Sequence, residues 1–450
     1  MPTLPRADKE IKEKRKERNV YCTFLRGGVI LVLVSSVFLF GAVQPHILSL
    51  VEASIIVLFA IWWISDKETK EFTPLALPFA LFLALGLFQV IPLPLPLAKL
   101  LSPHAVILRE KLGTLTYWTT LSLVPALTLK ELTRWFTILF LYLLVVNLFQ
   151  TKEFLKNLIR ALLALSIFEA LYGLFLFATG SPTLLWYRKP EYVTGRVHGT
   201  YRNPNHFAGY MEMVIPLHLS QVLTWRHRSL YTTEERSKRL LGIFLVVVLT
   251  ISLFCSISRA GIVAFVASFA FWTFLNLKEK ERERARLTGY LWFFLILLAA
   301  YLLWIGLDPI LERFFQTARE IERGRTLVWK DTLKMIKDFP IFGTGLGTYR
   351  HSFPLYKTLP QQVFFSHAHN DYLELLAEGG LALIIPFLWG MGRILKWSLS
   401  SPSLITRGAT TGVVALLIHS FFDFNLHIPA NAYIFFTLAG ISWVARRWER

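Results

Sequence analysis

The sequence predicts an all-α, polytopic membrane protein of about twelve transmembrane helices, on three observations. Hydrophobic residues make up 54% of the 450 and charged residues only 17%, against roughly a quarter charged in soluble domains. Apolar stretches near the roughly 20 residues needed to cross a hydrocarbon core recur along the chain. Lys and Arg concentrate in the connections between them. The net charge of +18 therefore does not indicate a nucleic-acid partner, which would require the basic residues on a soluble face.

The first apolar run, 24–44, follows a basic segment with Lys9, Lys12, Lys14, Arg15, Lys16 and Arg18. No small-residue cleavage site follows it, so it reads as a retained helix behind a cytoplasmic basic tail over 1–23. Further runs lie at 47–65, 74–91, 131–149, 155–178 and 206–224, then at 240–256, 259–277, 288–306, 371–392, 405–422 and 428–446. Together they read as one transmembrane domain over 24–446. Starting inside, the connections 65–73, 150–156, 225–240, 278–288 and 393–407 face the cytoplasm, and each carries Lys or Arg. Arg446, Arg447 and Arg450 place the C-terminus on the same side. Cys22 and Cys255 show no metal-ligand spacing and read as packing residues.

The opposite face holds three long connections, 92–130, 179–205 and 307–370. The first contains the Pro-rich PLPLPL of 92–97, suited to an extended interfacial segment. The third is a long, partly helical loop: in TLVWKDTLKMIKDF, Trp329, Leu333 and Ile336 share a helical face opposite Lys330, Lys334 and Lys337. That face is expected on the bilayer surface.

Two outer loops break the charge rule. Residues 181–205 carry Arg188, Lys189, Arg196 and Arg202 against Glu191, and 307–370 carries nine Lys or Arg against six acids. Long loops translocate regardless of charge, which is one reading. The other is an anionic ligand at the outer surface, because arginine's planar fork pairs with phosphate oxygens. Arg259, in CSISRAG between two apolar runs with almost no loop, needs either a bound partner or lipid phosphates to snorkel to.

The polar motifs cluster in these loops. In GRVHGTYRNPNHFAGY (195–210), Asn203-Pro204 can start a helix, while Arg196, His198, Arg202, Asn205 and His206 supply more donors than capping requires. In PIFGTGLGTY (340–349), Gly343, Gly345 and Gly347 would let backbone N–H groups approach a phosphate or another helix. In SHAHNDYLELLAEGG (366–380), Asn370 or Asp371 can cap a helix on which Asp371, Glu374 and Glu378 share a face. His367 and His369 could chelate a metal, but the nearby acids lack a third-ligand spacing, so no metal is expected. A histidine taking a proton from a hydroxyl fits better. HSFFDFNLHIPAN puts His419, Asp423, Asn425 and His427 near the outer end of the penultimate span, lining the same cavity or marking the lipid boundary.

NPNHFAGY, SRAG, GRTLVW, GTGLGTY and HAHNDYLELLAEGG, in that order, resemble the bacterial O-antigen ligase and O-antigen polymerase family, over about residues 70–440. The resemblance implies a GT-C-like glycosyltransferase of the bacterial inner membrane, active in lipopolysaccharide biosynthesis with both termini cytoplasmic and a periplasmic active site. It implies a glycan donor on undecaprenyl pyrophosphate, with lipid A core or another glycan as acceptor, and neither metal nor cofactor. Carried over residue by residue, it assigns catalysis to His369 and donor pyrophosphate binding to Arg259 and Arg325. Arg196, Arg202, Asn205, His367, Asn370 and Glu378 are expected to bind or orient substrate.

A ligase for lipid A core is the leading expectation, and a polymerase of lipid-linked glycan or exopolysaccharide uses the same donor. An O-linked protein glycosyltransferase is a third member of this class. A small-anion transporter would also use intramembrane arginine and acids, but commonly on broken helices near the midplane, whereas the motifs here lie in outer loops.

Overall fold

The computed structural model describes residues 4–65, 70–181, 183–188, 195–224, 233–276, 289, 318–358 and 364–447. Helices dominate them, and strand pairing is confined to two short antiparallel ladders, Leu93–Pro94 with Trp118–Thr119 and Thr183–Leu184 with Tyr187–Arg188. Long apolar segments must satisfy their backbone groups internally in a bilayer, which helices do within one segment.

In chain order the helices are α1 (Leu4–Phe38), α2 (Pro45–Ser65), α3 (Ala76–Phe88), α4 (Leu95–Leu101), α5 (Pro103–Lys111) and α6 (Pro125–Leu148). There follow α7 (Lys152–Thr179), α8 (Pro204–Thr224), α9 (Thr233–Cys255), α10 (Arg259–Leu275) and α11 (Ala318–Asp338). The last are α12 (Tyr349–Ser352), α13 (Asp371–Leu399), α14 (Leu404–His419) and α15 (Pro429–Ala445). Helix α1 thus begins within the basic segment, at Leu4. The expected run at 288–306 lies outside the described residues but for Gly289; every other expected run coincides with a helix.

Among the described residues, 6 helices are long and apolar enough to cross a membrane: α1 from Val20, α2, α6, α7, α9 from Arg236, and α13. Helices α3, α10, α14 and α15 are apolar but shorter. The described residues therefore form an all-α architecture of the membrane-protein type. Helix α8 falls outside both groups because it is less apolar, carrying His206, Glu212, His218, Ser220 and Gln221; its side chains from His206 to Leu223 are buried, against α9, α10 and α14 among others. Helix α15 is likewise buried along its whole length.

The connections sort to two ends. At one, Arg26 donates to Leu148 O, Asn147 pairs with the Glu71 backbone, Arg447 pairs with Glu71, and Arg407 donates to Asn276. At the other, Leu123 N–H donates to Thr344 O and Gln89 donates to both Phe342 O and Glu378 O. The first and third of the long connections expected on one face thus meet each other.

Helix α13 breaks at Gly380 (φ 58°, ψ −162°), which frees backbone groups that the glycine loop then pairs. Thr344 N–H donates to Ala377 O, Gly345 N–H to Glu378 O, and Leu381 N–H to Pro340 O. A Cβ on Gly343 (φ 64°) would lie 2.2 Å from the Glu378 carbonyl carbon. Of the two readings of the glycine motif, close approach to another helix is the one observed.

The bilayer placement of the amphipathic helix is corrected. The apolar face of α11 packs on its own loop and on α13: Val328 and Met335 are buried with Tyr349, Phe353 and Ala368 of the loop and Ala377 of α13, and Trp329 Nε1 donates to Ala368 O at 2.9 Å. Burying that face against the returning chain removes it from solvent without lipid. Leu333 alone of the expected trio is exposed, at 54%.

Candidate functional site

Asp423, in the turn between α14 and α15, is the centre of the polar network. Its Oδ1 lies 3.3 Å from His369 Nδ1 and its Oδ2 accepts from Asn205 Nδ2 at 2.9 Å. A carboxylate only accepts, so His369 Nδ1 carries the proton and Nε2 is left as the basic nitrogen. Burial opposes ionisation of Asp423, but the His369 hydrogen bond and the neighbouring imidazoles His206, His369 and His419 hold its carboxyl well below the usual range.

Asn205 couples this centre to the turn before Arg259. Its Oδ1 accepts from Arg196 Nη2 at 2.9 Å, and Arg196 Nε donates to Ser256 O at 2.7 Å. Arg196 Nη2 also reaches Ile257 O at 3.4 Å. Ile257 is held at φ 52°, a costly conformation for a β-branched residue. Ser258 then caps α10 by accepting the Gly261 N–H, which starts the helix at Arg259. His369 also adopts a left-handed backbone, φ 51°. Strain at these two positions is of the kind that surrounding contacts must hold in place.

Arg325, on α11, donates from Nη1 to Phe422 O at 3.1 Å, one residue from Asp423. Phe424 packs the histidines together: His367 stacks on its ring at 4.2 Å, and His369 and His206 meet it edge-on at 5.0 Å. His369, Asn205, Arg196 and Arg325 are thus gathered at one centre, and Arg259 heads the helix whose preceding turn Arg196 holds. Arg202 is exposed in the loop before α8, where Asn203 Oδ1 accepts the Asn205 N–H as the Asn-Pro signal predicts.

Three expected substrate residues have structural partners. Asn370 caps α13, accepting from Tyr372 N–H and Leu373 N–H at 3.0 Å. Glu378 is buried and accepts from Gly347 N–H at 2.9 Å and Tyr349 N–H at 2.7 Å, so it anchors the glycine loop. His367 Nδ1 lies 2.8 Å from Glu374 Oε1, and Glu374 Oε2 accepts the Ala368 N–H. Of the acids on one face of α13, Glu378 holds the glycine loop, whereas Asp371 and Glu374 share His427: Asp371 accepts from Leu426 N–H and lies 2.7 Å from His427 Nδ1, and Glu374 Oε1 lies 3.3 Å from its Nε2. Burial lowers the basicity of His427, but Glu374 and Asp371 outweigh it and push its pKa up to about 10. His367 and His369 diverge to different carboxylates, so they do not chelate together. His367, Glu374 and His427 do offer ligand atoms within 4.8 Å of one another.

Sequence reasoning missed two buried acids. Glu169 in α7 accepts from Thr200 N–H at 2.7 Å and Thr200 Oγ1 at 2.8 Å, fixing the loop that carries Arg196. Glu212 in α8 lies 3.0 Å from His419 Nδ1, both side chains wholly buried. A single acid inside an apolar run is the signal that would have found each.

Residues 244–388 match the family model described as O-Antigen ligase. The matched segment contains SRAG, GRTLVW, GTGLGTY and most of the HAHN helix, and it supports the family resemblance carried by those motifs. No curated protein matches the chain.

Proposed function

With an O-antigen ligase family segment as the premise, we propose that this chain is an inner-membrane O-antigen ligase. It transfers a glycan from undecaprenyl pyrophosphate to a sugar hydroxyl of lipid A core at the periplasmic face. The observation that supports it most is the His369–Asp423 contact at 3.3 Å, tied through Asn205 and Arg196 to the turn before Arg259.

The acceptor hydroxyl attacks the anomeric carbon as His369 Nε2 takes its proton, with Asp423 fixing the tautomer and balancing the imidazolium charge. The new C–O bond forms as the anomeric C–O bond to phosphate breaks, and the electron pair leaves on the pyrophosphate. A single displacement inverts the anomeric centre. Negative charge grows on the phosphate oxygens, so guanidinium groups of Arg259 and Arg325 stabilise the transition state more than the ground state. Arg196 and Asn205 act as positioning residues, and Arg202, exposed nearby, is available to the glycan. The donor headgroup enters where 195–205, Arg325 and 420–424 meet. The fold reading that accompanies this is GT-C-like, with about twelve spans, a periplasmic loop over 307–370 and both termini in the cytoplasm.

The test is reconstitution of the full chain with undecaprenyl-pyrophosphate glycan and, in separate arms, lipid A core, lipid-linked glycan or a peptide, following products by mass. Transfer to lipid A core alone is expected. Extension of the lipid-linked glycan would make the protein a polymerase, and a peptide product a protein glycosyltransferase. No product in any arm, with donor flux across the bilayer instead, would overturn the transferase reading.

A further inference from the structure

We propose that His367, Glu374 and His427 form a site for one zinc-class divalent ion, separate from the His369–Asp423 centre. The three residues come from three chain segments, the loop before α13, the first turn of α13 and the turn before α15, so only the tertiary structure assembles them. His367 Nδ1 and Glu374 Oε1 are 2.8 Å apart and His427 Nε2 and Glu374 Oε1 are 3.3 Å apart. Ligand atoms at about 2.0–2.1 Å around a tetrahedral ion sit about 3.3 Å from one another, so small rotations admit the ion. Two imidazole nitrogens and one carboxylate oxygen are a ligand set that zinc prefers, with a fourth position left for water.

The surroundings are those of a metal site. His427 Nδ1 faces Asp371 Oδ1 at 2.7 Å, which fixes the ring and leaves Nε2 toward Glu374. A carboxylate behind a ligating histidine is the common outer support of such sites. Glu374 Oε2 is tied by the Ala368 N–H at 2.8 Å, leaving Oε1 inward. The His367 side chain is 27% exposed, which supplies an entry path. The ion would displace the proton that the same cluster otherwise shares. It would also clamp the loop carrying His369, two residues from His367, to the turn before α15. The proposal is independent of the transferase reading, because its measurements do not involve glycan transfer.

The full chain, purified in detergent and stripped with chelator, is titrated with Zn²⁺ and separately with Co²⁺. We expect about one ion per chain, intense four-coordinate Co²⁺ visible bands, and a higher thermal midpoint with metal. Glu374→Gln and His427→Ala should abolish binding and the bands, and Asp371→Asn should weaken binding about 10–100-fold. A Co²⁺ spectrum of the unsubstituted protein without those bands would overturn the proposal even if the variants fail to fold. So would zinc uptake that survives Glu374→Gln, leaving a metal-free hydrogen-bonded triad.

Discussion

His369 Nδ1 stands 3.3 Å from Asp423 Oδ1 across the junction of two loops far apart in sequence, with Asp423 also held by Asn205 at 2.9 Å. In the proposed mechanism this pair supplies the base and its orienting acid, and several outcomes depend on it.

Replacing His369 by Ala should reduce transfer by about 10²–10⁴-fold in a folded protein, the usual contribution of a positioned base. Asp423→Asn should lower kcat more than it raises KM, because the carboxylate acts through the imidazole. Single-turnover transfer to acceptor, followed by mass, reads both. Ordinary turnover by His369→Ala would remove the catalytic assignment.

Arg259→Lys and Arg325→Lys keep the charge and lose the planar fork, so each should weaken donor binding about tenfold or more. Binding of a soluble polyprenyl-pyrophosphate analogue by calorimetry measures it. Affinity equal to the unsubstituted protein in both variants would show that the two arginines do not clamp the pyrophosphate.

Gly343→Ala places a Cβ 2.2 Å from the Glu378 carbonyl carbon in a left-handed backbone, where the neighbour is main chain and cannot rotate aside. A loss of about 2 kcal/mol or more is expected, from combined strain and overlap. Gly113→Ala, also at positive φ but with open space around it, should cost less. Thermal unfolding of the two in the same detergent gives the comparison, and equal midpoints would contradict it.

Asp331 on α11 accepts from Lys334 Nζ and from both Thr358 N–H and Oγ1, each at 2.8 Å. Burial raises its pKa, but these hydrogen bonds outweigh it and hold the carboxyl below its usual value. A depressed folded pKa stabilises above the unfolded value, so that stability is lost as the pH falls through the folded pKa, below the ordinary range of an aspartate. The anchoring is worth about 1–2 kcal/mol by its hydrogen bonds, with little from the exposed Lys334 charge. Proteolysis near residue 358 should accelerate at acid pH, and Asp331→Asn should show that acceleration already at neutral pH.

The sequence by itself determined the membrane class, the segments that become helices and the chemical richness of the outer loops. Hydrophobic length and arginine placement are local properties, and so is the Asn203-Pro204 start of α8. The face of α11 shows where local reading stops, since an amphipathic stripe states that a surface is buried and not what buries it. Trp329 covers Ala368 rather than lipid because the chain returns over it. Glu378 and Asn370 read equally well as substrate ligands or backbone anchors until Gly347, Tyr349 and Tyr372 were seen to take them. Asp423 could have lined a cavity or marked the lipid boundary. Only the tertiary structure brings residues 205, 369 and 423 together, because the distance between carboxylate and imidazole is set by packing across the whole bundle.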